Sequence, residues 1–331
     1  MDEPVARVAV IIVSWNTREL LAECVASVVD SADAAELETI VVDNHSTDGS
    51  REMLRDRYPR VRVIANECNR GFGAANNQAI EATDAPYVLM LNSDARLPRG
   101  ALAGLLARLE REARAGLVGA QLHYPDGRFQ FSHARFPDLV QELLVLSGLG
   151  RRCHGRWYPS GGPDTDRGAR VVDWVGGACM LARRAALTAV GGFDEGYFMY
   201  GEEMDLCYAL RTAGWQVWYE PGARVIHHGG GSSRQTADAA EARLYRGRLR
   251  FFRKYYGVAA ARWLAVQLCL LTPPKIALHA LLRGLSGGRV GRRVISLRAL
   301  YAVIAAADER VLGHGVPPPA LRVVPPLEER K

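Results

Sequence analysis

Three short apolar runs in the first hundred residues each stop abruptly at a polar cluster, and no other feature constrains the fold so tightly. Residues 8–13 end at Ser14-Trp15-Asn16, residues 39–42 at Asp43-Asn44, and residues 87–91 at Asn92-Ser93-Asp94. Uninterrupted apolar runs of this length suit strands buried on both faces of a parallel sheet, where the usual alternation is lost. Between them, Leu20, Leu21, Cys24, Val25 and Val28 recur at helical spacing. Ser46-Thr47-Asp48-Gly49-Ser50 then reads as a turn and helix start before residues 51–58. Residues 61–64 form a further, more amphipathic strand, and Asn69-Arg70-Gly71-Phe72-Gly73 opens a small-residue helix over 74–81. Strands alternating with helices at this spacing predict a parallel, doubly wound sheet with right-handed crossovers. Parallel strands set the three clusters at one edge, where open α/β sheets bind ligands.

Downstream the pattern predicts a helix near 98–112 and a strand near 117–123. An irregular excursion rich in Gly, Pro and Arg follows over 124–170, with one helix around 139–147. Residues 171–181 read as strand, turn and strand, with Gly176-Gly177-Ala178 at a close backbone approach. An aromatic loop over 191–200 precedes Gly201-Glu202-Glu203-Met204-Asp205, a helix start. Acids are favoured in a first helical turn by the macrodipole, but three in four positions exceed what capping needs. A strand over 216–220 is followed by Val225-Ile226-His227-His228 and a Gly-rich loop. Gly71-Phe72-Gly73 is not a dinucleotide fingerprint, since Asn76 stands where a third Gly is required, and no Walker A run occurs.

The 331 residues, 48% of them hydrophobic, suffice for one large core with a smaller appended region. Six cysteines without a CxxC pair predict reduced thiols and a cytoplasmic setting. The opening Met1-Asp2-Glu3-Pro4 is acidic where a signal peptide is basic. Charge divides the chain unevenly. Residues 1–235 hold 25 Lys/Arg against 30 Asp/Glu, whereas 236–331 hold 17 against 6. A basic tail on an acidic body points to a polyanionic partner, either nucleic acid or an anionic membrane, and no nucleic-acid-binding motif accompanies it.

In order along residues 6–235, Val-Ser-Trp-Asn at 13–16, Val-Val-Asp-Asn at 41–44, Ser-Thr-Asp-Gly at 46–49 and Asn-Arg-Gly-Phe-Gly at 69–73 are joined by Asn-Ser-Asp at 92–94, Gly-Gly-Phe-Asp-Glu at 191–195 and His227-His228. This set resembles the family 2 inverting glycosyltransferases, in particular their bacterial rhamnosyltransferase-like branch. The resemblance implies a GT-A fold, an α/β, Rossmann-like, mostly parallel doubly wound sheet, here with a basic helical C-terminal extension. It also implies a divalent metal, Mn²⁺ or Mg²⁺, a nucleotide-sugar donor linked to dTDP or UDP, and a hydroxyl of a lipid-linked or cell-surface glycan as acceptor.

By this resemblance Asp43 accepts the N3–H of a uracil or thymine ring, with Trp15 and Asn16 lining the base and its ribose. Ser14, Asn44, Arg70, Gly71, Asn92 and Ser93 belong to the same donor side. Asp94 ligates the metal with one of His227 and His228, and spacing does not choose between the two. Glu203 is the base that takes the acceptor's proton, with Asp205 or Glu202 as substitutes, and Trp174, Gly177 and Ala178 face the acceptor. Two residues depart from the family's pattern: Asn92 and Glu203 each stand where relatives carry Asp. They leave open a catalytically silent scaffold as the alternative. Processive relatives carry Gln-x-x-Arg-Trp and several membrane spans, and neither is present, so transfer of a single sugar is expected, with dTDP-rhamnose as the donor implied by the branch.

The tail interleaves Arg243, Arg246, Arg248, Arg250, Arg253 and Lys254 with Leu244, Tyr245, Leu249, Phe251, Phe252, Tyr255 and Tyr256. Apolar stretches at 263–271 and 276–282 are separated by Thr272-Pro273-Pro274-Lys275, and no run reaches the roughly 18 residues that span a bilayer. The expected arrangement is a catalytic domain over 1–235 and a helical extension over 236–315. The extension lies in the membrane interface at the inner face of the cell membrane, with Arg289, Arg292, Arg293 and Arg298 drawn to anionic lipid. A soluble helical subdomain or dimer surface is the alternative. The Pro-rich 316–331 is expected to be disordered.

Overall fold

In the computed structural model, residues 7–31, 35–163, 168–230, 237–285 and 300 are described. The N-terminal leader, the residues around the expected boundary at 235, the four arginines over 289–298 and the Pro-rich end lie outside them. The first half alternates as the apolar pattern requires: β1 (Arg7–Ser14), α1 (Arg18–Val29), β2 (Glu36–Asp43), α2 (Ser50–Arg57), β3 (Arg62–Ala65), α3 (Phe72–Glu81) and β4 (Tyr87–Asn92). Next come β5 (Ala95–Arg96), α4 (Ala101–Arg111) and β6 (Ala115–His123). The excursion holds β7 (His133–Ala134), α5 (Leu139–Ser147) and α6 (Gly150–His154). The chain then returns through β8 (Arg170–Val172), β9 (Trp174–Val175), β10 (Cys179–Arg183) and α7 (Arg184–Val190). It closes with α8 (Glu202–Thr212), β11 (Gln216–His227) and α9 (Ala237–Leu285).

The main sheet runs β3-β2-β1-β4-β10-β6-β11-β5, with β8 paired to β11, and β7 and β9 form a separate ribbon. β3, β2, β1, β4, β6 and β11 share one direction, while β10, β5 and β8 oppose it. β10 enters antiparallel because it follows the long excursion rather than a crossover helix. Both faces of the central strands are covered, which is why their sequences are continuously apolar. Val8, Val10 and Ile12 point into a core shared with Leu21 and Val25 of α1, Leu54 of α2 and Leu105 of α4. Ile11, Ile40 and Val42 point the other way, toward Ala75 and Ala79 of α3, Leu206 of α8 and Phe251 of α9.

Register settles where the polar clusters lie. Ser14 pairs with Asp43 and Val13 with Asn92, so the three strand ends stand side by side. One expectation is corrected. The strand after Trp215 does not stop at Glu220; it continues to His227 across a bulge between Glu220 and Arg224, which re-aims its last residues at β5. α9 runs through both prolines at 273 and 274, and its interruption falls at Gly257 with φ 88° and ψ 172°. That conformation belongs to glycine, which lacks the Cβ that would clash there.

Candidate active site

The strand ends are joined by side chains that only this register brings together. Thr17 Oγ1 donates to Ser93 Oγ at 2.9 Å, so its remaining 3.0 Å contact with Ser14 Oγ is one in which Ser14 donates. This hydroxyl chain spans the gap between β1 and β4. Asn16, at φ 51°, accepts the Thr47 N–H at 2.8 Å, and its own N–H donates to Ser46 Oγ at 3.0 Å, tying the loop after β1 to the loop after β2. Trp15 is half-buried beside it. Asp43 is fully buried. Its Oδ1 accepts from Arg51 Nε at 2.6 Å and from the Ser46 N–H at 3.0 Å, while its Oδ2 has no partner. A buried carboxylate oxygen left unpaired is costly, and a ligand N–H removes that cost. Asn44 spends its amide within the protein, donating to Gly71 O at 3.0 Å and accepting from Asn66 Nδ2 at 2.8 Å.

β11 delivers His227, and not His228, to the third cluster. His227 Nε2 lies 3.1 Å from Asp94 Oδ1 and 3.3 Å from Asn92 Nδ2, whereas His228 meets Asp94 through its backbone N–H. Gln130 fixes the ring: its Oε1 lies 2.6 Å from His227 Nδ1, and its Nε2 donates to His227 O at 3.1 Å. An amide oxygen only accepts, so Nδ1 carries the hydrogen and the Nε2 lone pair faces the Asp94 carboxylate. Two acceptors this close repel unless a proton or a cation lies between them. Adjacent ligands of an ion with bonds of about 2.1 Å stand roughly 3 Å apart, so an oxygen and an imidazole nitrogen here fit one divalent cation. No cluster of three or more His, Cys, Asp or Glu accompanies the pair among the described residues.

The opposite wall comes from the aromatic loop and α8. Gly71, at φ 84°, lies under this loop; a Cβ there would sit 2.3 Å from Phe198 O, which accepts the next N–H, from Phe72, at 2.9 Å. Asn77 of α3 grips Phe193 from both sides, accepting its N–H and donating to its carbonyl, each at 2.9 Å. Arg70 pairs with Glu195 on the surface at 3.7 Å. The Asn-Arg-Gly-Phe-Gly stretch thus holds the loop leading into α8. Glu203 packs its side chain onto Gly177, whose absent Cβ would meet Glu203 Cβ at 3.4 Å, and the neighbouring Ala178 O accepts the Asn92 N–H at 3.0 Å. Through these contacts Glu203 and the Asn92-Ser93-Asp94 corner share the edge that carries Asp43.

Burial raises the Glu203 carboxyl above its ordinary value, against hydrogen bonds from its own, Gly201 and Met204 N–H groups and the charge of Arg248. Glu202, buried and with Oε2 unpartnered, is pushed well above the usual range by desolvation and then by Glu203. Asp205 has another occupation. Its carboxylate accepts from Tyr197 OH at 3.0 Å and from Lys254 Nζ at 2.8 and 2.9 Å. Lys254 also reaches Asp194 at 2.8 Å, as does Arg250. α9 is therefore pinned to the aromatic loop and α8 by ion pairs. Trp174 is buried, its indole N–H donates to Arg135 O at 2.9 Å, and its ring lies 4.9 Å from that of Phe131, so it backs the wall beside Gly177.

Sequence reasoning missed Gln130, Thr17, Asn77, Arg248 and Lys254. Gln130 lies in the aperiodic excursion and Arg248 among many basic residues, so neither carried a signal; Thr17, next to a polar strand end, did.

The profile of glycosyl transferase family 2 matches residues 9–189, more than half of the chain. The chain belongs to glycosyl transferase family 2. It is a glycosyltransferase of GT-A fold, and its sequence is similar to rhamnosyltransferases of that family. Among relatives of this family 2 enzyme, the N-acetylglucosaminyl-diphospho-decaprenol L-rhamnosyltransferase of Mycobacterium tuberculosis is 36% identical over 203 residues, 57% of this chain and 66% of that protein. Rhamnosyltransferase WbbL of Escherichia coli is 31% identical over 167 residues, 48% of this chain and 61% of that one. Each match thus spans less than two thirds of the relative's length. A solved structure, GalNAc-T7 with UDP, GalNAc and Mn²⁺, superposes with a TM-score of 0.59 at 16% identity, covering 93% of this chain and 58% of its own. That likeness is one of fold. The family match holds all three strand-end clusters but stops before Glu203, His227 and α9.

Proposed function

We propose that this glycosyltransferase moves one sugar, with inversion, from a nucleotide-sugar donor to a hydroxyl of a lipid-linked glycan precursor at the inner face of the membrane, using Mn²⁺ or Mg²⁺. The observation that carries the reading is the Asp94–His227 pair, 3.1 Å apart with the imidazole oriented by Gln130. A cation bound there supplies positive charge to the diphosphate as it leaves. Asp43 Oδ2, buried and unpaired, receives the N3–H of thymine or uracil, and Asn16 and Trp15 flank the base. The Ser14–Thr17–Ser93 chain holds the crevice floor rigid beneath the donor.

Glu203 accepts the acceptor's proton as its oxygen attacks the anomeric carbon. Burial supports this role, because a carboxylate held above its ordinary pKa is a stronger base. Gly177, lacking a Cβ, lets the Glu203 side chain pack closely against it, and Ala178 and Trp174 complete the acceptor side. Asp205, bound to Lys254, keeps α8 in place rather than moving protons.

The name of the Mycobacterium relative, an L-rhamnosyltransferase acting on a diphospho-decaprenol carrier, favours rhamnose from dTDP-rhamnose and a polyprenyl-linked acceptor. Hydrolysis of dTDP-, UDP- and GDP-sugars with Mn²⁺, Mg²⁺ or EDTA tests it. Turnover of dTDP-rhamnose that EDTA abolishes is expected; turnover of a UDP-hexose alone moves the assignment to that donor, and turnover of GDP-mannose alone removes the pyrimidine role of Asp43. Unaltered turnover in EDTA overturns the metal reading.

A further inference from the structure

Beyond Gly257, α9 exposes Trp263 (63%), Val266 (43%), Leu270 (66%), Leu278 (55%), Leu281 (59%) and Leu285 (78%). At about 100° per residue these six fall within an arc of roughly 120°. Leu264, Leu268 and Thr272, on the adjoining side, are the residues buried against the body. The exposed stripe is therefore a second apolar face, left over after the helix has packed. α5 extends it. Gln267 Nε2 donates to Leu139 O at 3.1 Å, which sets the start of α5 beside this face, and Val140 (65%) and Leu143 (44%) are exposed there.

The charges around this surface are predominantly of one sign, with the exposed Asp138 at the start of α5 as the exception. From residue 242 to 285 the chain carries no Asp or Glu, and none occurs from 143 to 163. Arg262, adjacent to Trp263 on α9, is exposed, as are Arg151, Arg152 and Arg156 beyond α5. A twofold pairing of this face with a second copy would set cations against cations. An anionic bilayer satisfies both features at once, receiving the apolar stripe among its acyl chains and the guanidinium groups among its headgroups. No helix among the described residues is long and apolar enough to cross a membrane.

We infer that the joint α5–α9 face is the surface on which this enzyme rests on anionic lipid, with α9 linking the bilayer to the site. The same helix sends Arg248 to Met204 Sδ at 3.2 Å, beside Glu203, and to Glu142 of α5 at 3.5 Å. This rests on the proposed lipid-linked acceptor and names the face that brings the enzyme to it.

The test is co-sedimentation of the full chain with phosphatidylcholine vesicles, with and without phosphatidylglycerol, together with quenching of tryptophan emission by brominated lipid. Binding to the anionic vesicles, weakened by added salt, is expected. Trp263→Ser with Leu270→Ser should lower partitioning about tenfold or more while leaving nucleotide-sugar hydrolysis unchanged. Val140→Ser with Leu143→Ser, on the other helix, should do so independently. Trp263→Phe should keep binding and lose quenching. Failure of the parent chain to sediment, or sedimentation of both double variants equal to that of the parent, overturns the inference. So does a dimer in light scattering that the Trp263 variant converts to monomer, which would give the face to a second copy. Vesicle binding without donor turnover would count against the proposed chemistry and leave the face intact.

Discussion

At the scale of single residues, the site depends on groups whose chemistry is set by what surrounds them. Glu203→Gln keeps the shape of the side chain and removes its basicity, so kcat should fall about 10²- to 10⁴-fold with little change in donor KM. Steady-state kinetics checks this. The parent's acid limb should lie above the ordinary carboxylate value of 4.5, since burial raises Glu203 and only its ionised form accepts a proton. A limb at or below that value would remove Glu203 from the role. Gln130 acts through another residue. Gln130→Leu frees His227 to turn and to change tautomer, so Mn²⁺ affinity, read by electron paramagnetic resonance without any turnover, should weaken about 10- to 100-fold. Unchanged affinity would show that the clamp does not matter to the ligand.

At the scale of elements, the loop entering α8 is compressed between α3 and α9. Gly71 meets it from one side, and Gly247 of α9 from the other, where a Cβ would lie 2.3 Å from Tyr200 O. The obstacle at Gly247 is backbone, which cannot swing aside. Gly247→Ala improves helix propensity by up to about 1 kcal/mol, yet forces α9 away from the loop. The net effect should be a loss of about 1–3 kcal/mol in urea denaturation, with activity reduced beyond the stability change. A stabilised variant would show that α9 does not press on the loop as described. The strands were legible in the sequence because a run buried on both faces writes itself as a block of apolar residues. β10 escaped because direction is not encoded in such a block; only the path of the excursion before it decides which way the strand enters. The double proline at 273 and 274 leaves α9 unbroken, since proline weakens a helix locally but packing of α9 on the body outweighs that preference.

For the whole molecule, stability should decline as pH rises above the ordinary carboxylate range. Glu202 binds its proton more tightly folded than unfolded, so its contribution is fully present below about 4.5 and is lost as pH rises through its elevated folded value. Asp194 works in reverse: burial raises it, but Lys254 and Arg250 outweigh this, and its contribution is lost as pH falls through its depressed value. Glu202→Gln should therefore raise the melting temperature more at pH 8 than at pH 4.5, as thermal unfolding at the two values would show; an equal shift would mean that Glu202 ionises freely in the fold. The alternation of buried strands and helices, and the gathering of Ser14, Asp43 and Asp94 at one edge, follow from the sequence alone, because parallel pairing of neighbouring βα units needs only local pattern. The choice of His227 over His228, the Gln130 clamp 97 residues away and the pinning of Asp205 by Lys254 were decided by tertiary structure. They join segments with no shared periodicity, and contacts between such segments are set by packing, which leaves no mark on either stretch by itself.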